Sequence, residues 1–185
     1  MTTNRTLIVT AATLLAASAG LVGCASATAE KPQTSAAAAT VVHEGNTVSS
    51  ARLSAQTATV AAQAALAQCE ADGLGFVTVA VVDRNGQLQA LVRGNNAAEH
   101  TIEAAQQKAY TSAAFGASTS DLVERADENG LHRLPGTLFM PGGVSVKLGD
   151  ASIAGIGVGG APSGMADQQC AAAGLAAIEA EVAPA

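Results

Sequence analysis

The segment Glu99 to Phe115, EHTIEAAQQKAYTSAAF, gathers most of the side chains in this sequence that could contact a ligand or a metal. With a helical period, His100, Ala104, Lys108 and Thr111 fall on one face. An imidazole can ligate a metal, an ammonium can pair with an acid, and a hydroxyl is a weak ligand. His100 and Thr111 are eleven residues apart, about 16 Å along a straight helix, so they cannot meet one metal ion from one chain. Glu99 and Glu103 lie one turn apart where the helix dipole favours carboxylates, and they read as helix-start residues or as weak metal ligands. Tyr110, the one tyrosine, offers a stacking face or core volume. Arg93 upstream is a second cation, and His132 and Met140 downstream are further metal-ligand candidates, with Met140 equally a packing residue. His43 stands alone in a polar stretch and is given no role.

Side-chain catalysis finds little support. There is no nucleophile elbow and no His-Glu metal helix. Asp83 and Arg84 could be written as an acid and its partner, but they open the turn DRNG, where such residues serve backbone hydrogen bonds. Gly155, Gly157 and Gly160 spell G-x-G-x-x-G with Glu179 nineteen residues on, yet no strand follows the closing helix, as a dinucleotide site requires. These glycines are expected instead to let a strand pass close to a neighbouring backbone or a flat ligand.

The elements that position these residues follow from periodicity and punctuation. The domain is expected to begin at Leu53, with Ser54 capping a helix that runs to about Asp72, stopped by Gly73, with Val60 and Leu66 anchoring its buried side. Phe76 to Val82 and Gln87 to Val92 read as a central hairpin around Asn85 and Gly86. After the Glu99 to Phe115 helix, Ser118 and Asp121 suggest a capping box for a helix to about Asn129. Nine of the nineteen glycines then fall between Gly136 and Gly164. Among them lie two strands, Val144 to Leu148 and Ile153 to Val158, turning at Gly149 and Asp150, before Ser163 caps a last helix. Hairpins between helices imply an α+β layer fold with a mainly antiparallel sheet.

Composition narrows the partners. Of 185 residues 49% are hydrophobic and 2% aromatic, so the core must be built from Ala, Val, Leu and Ile. The net charge of -6, with basic residues scattered singly, gives no stripe to neutralise a phosphate backbone, which excludes nucleic acid as an expected partner.

Residues 1–24 read as an export signal: Arg5, an apolar stretch from Leu7 to Ala19, then Leu21, Val22, Gly23 and Cys24, a tetrad resembling a bacterial lipobox with Cys24 as the lipidated residue. Plain secretory cleavage is the alternative. The apolar stretch, broken by Thr10, Thr13 and Ser18, is short for a permanent span. Residues 25–50, rich in Ala, Ser and Thr, read as a flexible tether, and residues 51–185 as one domain. With Cys24 assigned to the anchor, Cys69 and Cys170 remain as an even pair in an exported chain, expected to form a disulfide, with two buried thiols as the alternative.

Four blocks carry a resemblance: VAVVDRNG (Val79 to Gly86), KAYTSAAF (Lys108 to Phe115), LPGTLFMPGG (Leu134 to Gly143) and AGIGVGGAPSG (Ala154 to Gly164). In these, from about Leu53 to the C-terminus, the chain resembles the GlcG/HbpS-like haem-binding family. The resemblance implies a profilin-like or PAS-like sheet flanked by helices. It implies haem as the cofactor, with Thr111 nearest the iron because the family's haem contact lies in the KAYT block. Lys108 and Arg93 are then candidates for the propionates and Tyr110 for ring contact, while His100 would meet a propionate, a metal, or haem held across a subunit boundary. It further implies a homo-oligomer, an octamer, that communicates with a membrane sensor kinase. The expected function is an exported haem-binding protein for haem capture, storage or sensing, and also iron binding, without a dedicated catalytic cycle. The alternatives are a haem-degrading or peroxide-consuming enzyme and a ligand-free oligomeric surface protein.

Overall fold

Ser54 opens the first helix by accepting a hydrogen bond from Thr57 N at 3.0 Å, which satisfies an amide that a helix start leaves unpaired. In the computed structural model, which describes residues 42–180, this helix α1 runs Ala55–Ala71, and Gly73 at φ 77° turns the chain beyond its end. Strands β1 (Thr78–Asp83) and β2 (Leu88–Arg93), helices α2 (His100–Phe115) and α3 (Thr119–Asn129), strands β3 (Gly143–Leu148) and β4 (Ala151–Gly159), and helix α4 (Gly164–Ala180) follow. Two short 3-10 turns lie at Glu44–Asn46 and Leu131–Arg133. This is the α+β arrangement expected from the pattern of hairpins and helices. Cys24 and most of the expected tether lie outside the described residues.

The four strands form one antiparallel sheet in the order β2-β1-β4-β3. The β1–β2 hairpin was expected to be central, and only half of it is. All six β1 positions are buried, whereas β2 is half-exposed and forms an edge, the place beside β1 being taken by β4. At the turn, Asp83 Oδ1 accepts from Asn85 N (2.8 Å) and Gln87 N (2.9 Å), so this carboxylate organises backbone.

Alternation divides the sheet cleanly. Val79, Val81, Val144, Val146, Ala154, Ile156 and Val158 face α1 and α4, whereas Ala80 and Val82 face α2. On α1 the fully buried positions are Ala58, Ala61, Ala62, Ala65 and Cys69; Val60 and Leu66, expected to anchor that side, are only partly buried. The reason is the spacing between helices: a Cβ on Gly174 of α4 would stand 2.5 Å from Ala61 O, too close for larger side chains between the axes. Cys69 and Cys170 join these helices with Sγ atoms 2.07 Å and Cα atoms 5.4 Å apart. For a sequence separation of 101 residues the chain-entropy model gives about 4 to 5 kcal/mol of stabilisation.

The capping box expected for α3 is not formed. Ser118 occupies the N-cap without a side-chain bond, and Asp121 accepts instead from the Ser120 hydroxyl at 3.1 Å. The Ser120 amide is served from α4, by Gln168 Oε1 at 3.2 Å.

On the other face one helix covers the centre of the sheet. Ala105, Ala109 and Ala113 of α2 lie over Gly155, Gly157 and Gly159 of β4, so that backbone meets backbone. A Cβ on Gly157 would fall inside contact distance of Ala105 O and Ala109 N, and one on Gly155 would strike Ala109 O. About eight residues of helix span what about four residues of strand span, so the two small-residue rows run alongside each other. The G-x-G-x-x-G spacing thus belongs to helix-on-strand packing. Gly157→Ala should therefore destabilise the domain by about 3 kcal/mol through overpacking, while Gly45→Ala, with open space around it, should leave the urea midpoint unchanged. Chemical denaturation of the two variants measures the difference.

Candidate functional site

Beyond its alanine row, α2 buries a line of polar side chains, and each finds a fixed partner. Thr101 Oγ1 meets Thr78 Oγ1 at 2.7 Å on β1. Ser112 Oγ lies 2.8 Å from Ala109 O and 3.0 Å from Val144 O on β3. Thr111 Oγ1 donates to Gln107 O (2.7 Å) and accepts from Leu138 N (2.8 Å), which fastens the Leu134–Gly142 segment to the helix. Nearby, Thr119 Oγ1 accepts from Gly143 N at 2.8 Å. Threonine and serine suit these places because a hydroxyl both donates and accepts, so one side chain satisfies two elements.

Lys108 and Asp167 form the centre of this seam. Nζ and Oδ2 are 2.7 Å apart, with side chains only 5% and 3% exposed. The pair ties α2 to the first turn of α4 past the end of β4, and Ala161 N adds a bond to Asp167 Oδ1 at 2.9 Å. Burial pushes the Asp167 carboxyl above its ordinary value, and this outweighs the bond and charge of Lys108 and the amides of Ala161 and Gly160.

The remaining candidate residues are dispersed. His100 shares the angular face of Lys108 and Thr111 but sits exposed on the first turn of α2, while the other two are buried. With Glu99, Ile102, Glu103 and Gln106 it borders a shallow depression. Glu103 accepts from Gln107 Nε2 at 2.8 Å. Among the described residues no three His, Cys, Asp or Glu side chains converge on a metal position. Arg93 directs Nε and Nη2 to Ala97 O. Tyr110 lies half-buried over Gly86, where a Cβ would come within 2.9 Å of its ring. His132 is exposed, bonded to Asp127 at 2.8 Å and edge-on to Phe139; Met140 is 52% exposed. Lys108 is thus no free cation for an acidic ligand, because its ammonium is buried and paired.

Sequence reasoning missed Asp167, Gln168 and the Leu138 amide. Asp167 looks from sequence like an ordinary acid in a helix's first turn. No sequence signal marks a backbone amide such as that of Leu138.

A family model described as "Haem degrading protein HbpS-like" matches residues 53–176. The chain belongs to the HbpS-like family. Among solved structures, a crystal structure of HbpS is 43% identical, covering 74% of this chain and 97% of that one with a TM-score of 0.71. A double mutant of Streptomyces reticuli HbpS is 44% identical over 76% and 97%, with a TM-score of 0.72. The crystal structure of a PduOC:heme complex is 25% identical over 69% and 95%, with a TM-score of 0.61. No curated protein matches the chain.

In this HbpS-like domain, removing one member of the buried pair should cost about 3 to 5 kcal/mol, because the other charge is left uncompensated. Lys108→Met and Asp167→Asn should each show that loss in denaturant unfolding, and the double variant should recover much of it. The Asp167 carboxyl binds its proton more tightly folded than unfolded. Its contribution to stability is therefore full below the unfolded pKa and falls as pH rises from 3.8 through the raised folded value. The difference in stability between wild type and Asp167→Asn, measured across that window, should carry this slope.

Proposed function

We propose that this domain binds haem at α2, with Thr111 supplying the iron contact. One observation carries the reading: the other three motif blocks all converge on KAYTSAAF. Arg84 Nη1 of VAVVDRNG donates to Ala113 O at 3.1 Å, and Gly86 lies under Tyr110. Leu138 of LPGTLFMPGG bonds to Thr111, and Gly155 and Gly157 of AGIGVGGAPSG lie against Ala109. Family membership and the heme complex of a structural relative point to the same ligand.

The residues present fit a flat, partly apolar group. Along the half-exposed row of α2, Ile102, Gln106, Tyr110 and Ala114 offer a wall with one aromatic ring; the Thr111 oxygen lies outside this row, buried and bonded to Leu138 N. Haem would supply the redox-active iron. Of the two cations considered for the propionates, Lys108 is engaged by Asp167, which leaves Arg93, whose guanidinium is held by Ala97 O. His100, at the far end of the helix, is the alternative ligand for a haem held between subunits.

The role that accords with these parts is haem capture, storage or sensing by an exported, lipid-anchored homo-oligomer, an octamer, in communication with a membrane sensor kinase. A second reading, haem degradation, is favoured by membership of a family described as haem degrading; peroxide consumption is its alternative as an enzyme activity. Purified protein titrated with haem should give a saturable Soret change. Thr111→Ala should shift that spectrum and weaken binding by about tenfold or more, whereas His100→Ala should not. A spectrum altered only by His100→Ala reassigns the ligand, and no saturable change favours a ligand-free surface protein. Haem loss upon adding reductant and oxygen would decide for the enzyme.

The anchor has its own test. Cys24→Ser should move the protein from the membrane fraction to the soluble fraction with its fold intact. Wild-type protein found only in culture fluid, with an N-terminus other than Cys24, would contradict lipidation.

A further inference from the structure

Thr111 faces a difficulty as a ligand residue that the structure makes explicit. The residue is fully buried, its hydroxyl proton goes to Gln107 O, and one acceptor position is taken by Leu138 N. What lies on the hydroxyl is the backbone of Leu134–Gly142, so a ligand reaches the oxygen only if that strap moves.

The strap is built for such a movement. Thr137 to Met140 hang between two Pro-Gly pairs, Pro135–Gly136 and Pro141–Gly142, and the glycines sit at φ 73° and 134°. Positive φ costs glycine little and confines other residues, so both ends of the strap are turn points. The Gly142 end is fixed, its carbonyl accepting from Val158 N at 2.9 Å and its amide donating to Gln168 Oε1 at 3.3 Å, which leaves Gly136 as the free hinge; between the two turns the attachments are Leu138 and Phe139. Leu138 N holds Thr111, and Phe139, 2% exposed, plugs into a cluster with Leu122 and Ala126, its ring centroid 5.1 Å from that of Phe115. The Thr137 hydroxyl bonds within the strap, to Leu134 O at 2.8 Å. Leu134 and Met140, large apolar side chains, are left 43% and 52% exposed.

We infer that Leu134–Gly142 is a gating strap, in which the Leu138 amide and the incoming ligand compete for the Thr111 oxygen. This rests on the haem reading above. Closed, the strap satisfies the hydroxyl and excludes solvent. Open, it exposes the oxygen and brings Leu134 and Met140 to the ligand's apolar face. Apparent affinity then equals the intrinsic affinity scaled by the fraction of open molecules, so changes in the hinge tune binding without touching the ligand residue.

Two measurements on the full domain test this. Hydrogen exchange of the peptide spanning the strap, with and without haem, should show Leu138 losing protection by about fivefold to tenfold when haem binds, the value of one released hydrogen bond. Gly136→Ala places a Cβ in open space but strains the closed hinge, so stopped-flow Soret traces should show haem associating about fivefold faster than with wild type. Saturable haem binding with unchanged strap protection, or with equal association rates for Gly136→Ala and wild type, overturns the gate and leaves the haem reading standing. Absence of haem binding in wild type overturns both.

Discussion

The contact between the backbone of α2 and the glycine row of β4 is the constraint to which everything else answers. Because Gly155, Gly157 and Gly159 lack side chains, the helix settles onto the strand with carbonyls and amides of Ala105 and Ala109 at the sheet surface. At that separation no bulky residue fits between the layers, which accounts for the alanines Ala105, Ala109 and Ala113 of α2. It also brings the polar side chains of the helix within reach of backbone groups on β1 and β3 and of the segment before β3. A wider helix-to-sheet distance, filled by Leu or Ile, would place Thr111 and Ser112 beyond those partners.

The same closeness explains why the seam is polar yet stable. Thr101, Thr111, Ser112 and Thr119 each satisfy two groups, and Lys108 and Asp167 pair where little of either is exposed. Such a network tolerates little: a single removal strands a buried donor, acceptor or charge. Side chains with ligand-binding chemistry are therefore also structural, and substitution of Lys108 reports on folding before it reports on any ligand.

Much of this was legible from residue order. Ser54, Gly73, Ser163 and the Gly149–Asp150 turn punctuate the elements where periodicity placed them, and the glycine cluster pointed to close backbone contact. The four motif blocks identified the family. What stayed hidden depends on three dimensions. The edge position of β2 is decided by β4, seventy residues later, claiming the other side of β1. The alanine face of α1 was overlooked because Val60 and Leu66 are the larger side chains, while helix-to-helix spacing favours the smaller. Lys108 looked like a surface cation because its partner, Asp167, lies fifty-nine positions away.

The bond between Cys69 and Cys170 has a topological meaning apart from energy. It closes the chain into a covalent ring that holds both hairpins, α2, α3 and the segment before β3, leaving α1 and the end of α4 as tails on one side of the sheet. A protease that cuts anywhere in the ring, the exposed stretch from His132 to Gly136 included, yields two pieces that remain one molecule until a reductant arrives. Damage in that stretch would thus leave the intact mass increased by a single water, and only reducing conditions would separate the fragments.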